Sequence, residues 1–334
     1  MATLAIQNPT LADVAKRTDP DGQIATLVEL LNQDNPILDD ATFVEGNLPT
    51  GHRTSMRTGI PVPTWRKLYG GVQPTKSTTV QVTDNTGMLE DYAEVDKALA
   101  DLNGNTASFR LSEDRAHIEG MSQEMAQTLF YGNEGNEPAA FTGLAPRYNS
   151  KAAQNGENII EGGGTGSDNT SIWLTVWGPN TLHGIFPKGS KAGLQMNDKG
   201  QVTIENVDGN GGRMEAYRTH YRWDAGLTLR DWRYVVRVAN IDVSALSDAS
   251  TGVDAQKALI KLMIQASEMI KNFGVGRPVW YVNRTVRTAL RLGILEKISN
   301  NLSWESVAGK RVMVFDDIPV KKVDALTNNE ARVV

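Results

Sequence analysis

The side chains best suited to bind a metal or move a proton near neutral pH are four histidines, His52, His117, His183 and His220. They lie far apart, with no His-Glu-x-x-His motif, so their spacing offers no zinc or iron site. His117 reads as a partly exposed helix residue. The 334-residue chain has no cysteine, which excludes disulfides and thiolate ligands and leaves packing or assembly to stabilise it. Gly162-Gly-Gly-Thr-Gly resembles a phosphate loop in composition but lacks the Gly-Lys-Ser/Thr ending. A strand pattern follows it instead of the helix whose N-terminus would hold phosphate, so a flexible linker is expected. Asp208-Gly-Asn-Gly-Gly hints at a calcium loop, yet Thr219 stands where a bidentate Glu is required, and a turn is the better reading. Asp316 and Asp317 are adjacent carboxylates on a strand-connecting turn, where neighbours point apart and make no catalytic pair. No Gly-x-Ser-x-Gly elbow is present. The sequence thus assigns no catalytic, cofactor-binding or metal-binding residue. An enzyme that gathers distant carboxylates by folding, such as a glycan-active one, stays open.

The composition is that of an α+β globular chain with a sizeable core: 40% hydrophobic, 22% charged, net charge −5. Its length fits one large domain or two to three joined ones. The mild acidity argues against a tight nucleic-acid binder. The N-terminus has no basic stretch leading into an apolar run, and no window reaches 18 apolar residues, so neither a signal peptide nor a membrane span is expected.

The elements follow from periodicity. Pro9, Pro20 and Pro36 punctuate the first 45 residues, with one short amphipathic stretch from Ile24 to Leu31. Residues 46–100 form an excursion broken by glycines and prolines, in which Thr78–Thr83 alternate as a strand. The excursion has too little apolar material for its own core, so Trp65 and Tyr69 need something else to pack against. Residues 108–131 predict one uninterrupted helix, roughly 40 Å long at 1.5 Å per residue, with Leu111, Ile118, Met121, Met125 and Leu129 on one stripe and a stop at Gly132-Asn133. The segment 172–177 is apolar on both faces and predicts a buried strand. A polar, glycine-rich insertion spans 188–212, and 217–243 supplies further strand. Asp254–Phe273 predicts a helix with Leu259, Met263, Ala266 and Ile270 inward. Strand 278–282 leads to Asn283, the N-cap of a helix running to Ile298, and two short strands around Asp316-Asp317 close the chain.

Three stretches together resemble a known family. They are Gly51-His-Arg-Thr-Ser-Met-Arg-Thr-Gly-Ile-Pro-Val-Pro-Thr-Trp-Arg-Lys-Leu-Tyr-Gly-Gly continuing to Tyr92-Ala-Glu-Val-Asp-Lys, the long helix at 108–131, and Phe315-Asp-Asp-Ile-Pro-Val-Lys-Lys-Val-Asp-Ala-Leu. In these the chain resembles the major capsid proteins of tailed bacteriophages with the Hong Kong 97-like fold. The resemblance implies an N-terminal arm (1–45), an extended loop (46–95), a peripheral domain with a spine helix (96–180, with returning segments including 316–334) and an axial domain (181–315). It implies a subunit made in the host cytoplasm that self-assembles as hexamers and pentamers into an icosahedral head around double-stranded DNA. It also implies a separate scaffolding protein, a portal protein and a decoration protein as partners, with no cofactor and no membrane. Trp65, Arg66 and Tyr69 are then expected in contacts between subunits. An encapsulin-like shell sharing the fold is the nearest alternative.

Overall fold

The computed structural model describes residues 33–104, 106–206, 211–248, 252–295, 302–307 and 310–334. Its strands are β1 (Phe43–Glu45), β2 (Gly51–Gly59), β3 (Thr78–Asp96), β4 (Ile159–Glu161), β5 (Asn169–Trp177) and β6 (Leu182–Phe186). There follow β7 (Gln195–Glu205), β8 (Arg213–Leu229), β9 (Val235–Asp242), β10 (Arg277–Val282), β11 (Leu302–Val307), β12 (Lys310–Phe315) and β13 (Ile318–Lys322). The long helices are α1 (Thr106–Tyr131), α2 (Gly252–Met269) and α3 (Arg284–Leu295). The strands join one sheet in the order β11-β12-β13-β10-β5-β6-β8-β3-β2. β1 adds to β6, β9 to β5, β4 to β9 and β7 to β8.

Every residue of β5 is buried, as its unbroken apolar pattern requires. Because successive strand residues point to opposite faces, β5 feeds two cores at once. On one face Trp173 and Trp177 join Val235, Val279 and Tyr281 beneath Met125, Leu129 and Phe130 of α1. On the other, Ile172, Leu174 and Val176 join Val236, Val238 and Trp280 beneath Leu259 and Met263 of α2 and Val286 and Leu290 of α3. The central strands are therefore covered by helix on both faces.

Helix α1 starts two residues before the expected boundary and ends at Tyr131, where the Gly132 N–H donates to Thr128 O at 2.9 Å. Its apolar stripe is only half used. Met121, Met125 and Leu129 are buried and Ile118 is partly so, but Leu111 is exposed. The N-terminal half of α1 runs beyond the core, where no layer faces Leu111, and Phe109 is buried there instead with Val95 and Ala100. Asn283 caps α3 as expected, its Oδ1 accepting from Val286 N at 2.8 Å. α3 is described to Leu295, so the expected extension to Ile298 lies outside the described residues, as do Ile24–Leu31 and Asp208.

Two expectations need correction. The insertion at 188–212 holds a true strand, β7, paired antiparallel along β8. Its sequence is polar on both faces, so backbone hydrogen bonds rather than apolar alternation place it. The Gly162–Gly166 run is not loose: Gly162 N donates to Ala239 O and Gly164 N to Asn240 O, each at 2.7 Å. A Cβ on Gly164 would lie 2.8 Å from Asn240 O, so glycine lets this run lie flat along β9. Asp316 and Asp317 form the two-residue β12–β13 turn, both at positive φ (48° and 63°) as a type I′ turn demands.

Candidate docking surface

Strands β2 and β3 pair from Gly51 opposite Asn85 to Gly59 opposite Thr78, with an irregularity between Arg57 and Gly59. The lower half of β3, Thr86 to Asp96, pairs with β8 and anchors the hairpin in the sheet. Beyond that root, the nine residues of β2 carry the tip about 30 Å outward at roughly 3.3 Å per residue.

The root is tightly held. Asp84 of β3 is buried and accepts from Arg147 Nη1 at 2.8 Å, while Arg147 Nη2 donates to Leu227 O at 2.9 Å. Asn47 ties the entry strand, its Nδ2 donating to Arg53 O at 2.8 Å and its Oδ1 accepting from Arg53 N at 2.7 Å. His52 meets His183 of β6 edge-on at 5.8 Å between ring centres. Burial, with help from His52 and Arg230, lowers the His183 imidazole to about 4 against the pull of Asp84. Histidines distant in sequence thus meet here, because β2 and β6 bring them together. Sequence spacing carried no signal of this pair. Among the described residues, no group of three His, Asp or Glu is placed to hold a metal.

The tip is the opposite case. Residues 60–77 have no regular strand, and Gly70 N donating to Lys67 O at 3.0 Å closes a single turn with Tyr69 at φ 65°. Pro61, Pro63 and Pro74 remove donors and fix extended backbone. Trp65 and Tyr69 are completely exposed, at 104% and 106%, and Ile60, Val62 and Leu68 are nearly so. Arg66 is exposed beside them. The expected residues Trp65, Arg66 and Tyr69 therefore share one tip. Sequence reading missed the apolar companions Ile60, Val62 and Leu68, which their spacing between prolines could have flagged.

The charge on this element is also one-sided. No Asp or Glu occurs between Gly46 and Thr83, whereas Arg53, Arg57, Arg66, Lys67 and Lys76 do. Among the described residues none of these five cations has an ion-pair partner. Contiguous exposed apolar surface with unpaired cations is the signature of a protein-docking element, since leaving large aromatics in water forfeits their burial energy.

The family model for major capsid protein GP7 matches residues 19–334. A chain of the cryo-EM structure of bacteriophage Epsilon15 is similar to this one at 38% identity and a TM-score of 0.77, covering 100% of this chain and 99% of that chain. Fainter likenesses are to the bacteriophage JBD30 capsid (12% identity, TM-score 0.47, 96% and 99% covered) and to the SrpI encapsulin complex of Synechococcus elongatus (12%, 0.42, 70% and 97%). None of the curated proteins matches the chain.

Proposed function

As the chain belongs to the major capsid protein GP7 family, and so is a phage shell subunit with the Hong Kong 97-like fold, we propose that its β2–β3 hairpin tip seals contacts between subunits. The family is a structural one, so the reading as a carboxylate enzyme falls away. Many copies build the shell. The proposal adds their grouping as hexamers and pentamers in an icosahedral head around double-stranded DNA, after synthesis in the host cytoplasm. It also adds the division into arm (1–45), extended loop (46–95), peripheral domain (96–180 with 316–334) and axial domain (181–315).

The observation that carries the tip assignment is complete exposure of Trp65 and Tyr69 about 30 Å from the root. A head-to-tail contact that repeats around an axis closes a ring, and one chain can close rings of two sizes if the contact tolerates a change of angle. A tip without regular pairing, joined to the body through two strands, supplies that tolerance. A mildly acidic subunit, net −5, avoids clamping DNA through counterion release. Scaffolding, portal and decoration proteins are the partners such a head calls for.

The test is assembly. Subunits carrying Trp65→Ala or Arg66→Ala are expected to fold yet stop short of closed particles in negative-stain images, because a buried interface Trp or Arg typically contributes about 2–4 kcal/mol. Normal particles from both variants refute the tip as a subunit contact.

A further inference from the structure

We propose that the hairpin tip of one copy docks in an acid-rimmed apolar groove between β3 and α1 of a second copy. This rests on the tip being a subunit contact, and it names the surface that receives it. The groove floor is Met88 and Leu89 of β3, Met125 of α1 and Phe141 of the following loop, and Glu124 and Glu137 stand on its rim. Met88 is a large apolar side chain left 58% exposed there.

Three arguments select this groove. The first is charge. Nearby acids on β3 are already occupied: Asp91 by His117, Glu94 by Arg218, and Glu90 by His220 and Arg222. Glu124 and Glu137 have no cation partner among the described residues, and Glu124 accepts only a long hydrogen bond from Thr128, at 3.4 Å. They complement the unpaired Arg66 and Lys67. The second is surface type, since an apolar floor is what Trp65 and Leu68 lack in their own chain. The third is position. Met88 lies just past Asp84 at the hairpin root, so a chain's own tip is held about 30 Å from its own groove. Tip and groove are separated by the length of the hairpin, with one of each per chain. Each chain therefore gives one tip and receives another, the head-to-tail relation that closes rings.

Because the chain has no cysteine, introduced thiols can test the contact cleanly. Particles of Lys67→Cys/Glu137→Cys, assembled under reducing conditions and then oxidised, are expected to give a ladder of linked chains on a non-reducing gel. Lys67→Cys/Glu268→Cys, whose second thiol sits on exposed α2 surface, is expected to stay monomeric. Particles of the first pair that yield no ladder overturn the groove assignment. A second arm uses charge: Glu124→Lys/Glu137→Lys and Arg66→Glu/Lys67→Glu should each block assembly, and a chain carrying all four changes should recover particles. A four-fold variant that folds by circular dichroism but assembles no better than its parents overturns the proposal. If Trp65→Ala blocks assembly while both arms fail, the tip remains a contact and only its receiving surface is wrong. If Trp65→Ala assembles normally, the parent reading itself is lost.

Discussion

Trp65 and Trp173 occupy opposite surroundings in one chain. Trp173 is fully buried on β5, edge-on to Tyr148 at 5.9 Å and beneath the Arg237 guanidinium at 5.1 Å, while Trp65 is wholly exposed. Their arginine neighbours differ the same way. Arg237 Nη2 pairs with Glu330 Oε2 at 2.8 Å, its Nε donates to Ser171 Oγ and its Nη1 to Tyr148 O, whereas Arg66 has no ion-pair partner among the described residues. The centre of the sheet completes its interactions within the subunit. The hairpin tip leaves the same residue types unsatisfied, and so stores its binding energy for another copy.

That contrast can be broken most forcefully at the centre. Arg237→Ala leaves the Glu330 carboxylate buried without its cation, although Tyr131 Oη still donates to it at 2.5 Å. Removing one partner of a buried pair costs about 3–5 kcal/mol, to be read as a lower urea midpoint for the unassembled subunit. A loss under 1 kcal/mol would mean that the centre is not self-sufficient in the way drawn above.

The hairpin root should give an intermediate effect, through pH. His183 titrates at about 4 in the fold against 6.5 when free, so the folded subunit keeps it neutral. A base with a lowered native pKa contributes its full stability above 6.5, and that contribution is lost as pH falls toward 4. The expected loss is about 2–3 kcal/mol over that window. His183→Gln should flatten this part of the pH profile in urea titrations, with His52, Asp84, Arg147 and Arg230 left in place. An unchanged slope in the variant would assign the acid sensitivity elsewhere.

The smallest effect belongs to the tip. Trp65→Ala is expected to shift the stability of the unassembled subunit by less than about 0.5 kcal/mol, as for surface sites without partners. Equal melting of variant and parent, alongside failed assembly, sharpens the contrast. A large destabilisation would show that the tip packs within its own chain.

Sequence alone located the elements whose signals are local. Continuous apolarity marked β5, helical spacing marked α1 and α2, Asn283 marked the start of α3, and prolines and glycines marked the excursion with Trp65, Arg66 and Tyr69. These depend on the preferences of neighbouring residues, which a linear pattern records. Only the tertiary structure decided that β7 pairs with β8, that Leu111 has no layer facing it, that His52 meets His183, and that Glu124 and Glu137 flank one groove. Each of those depends on which distant segment lies opposite. That choice is made by packing across the sheet and leaves no periodic trace in the chain.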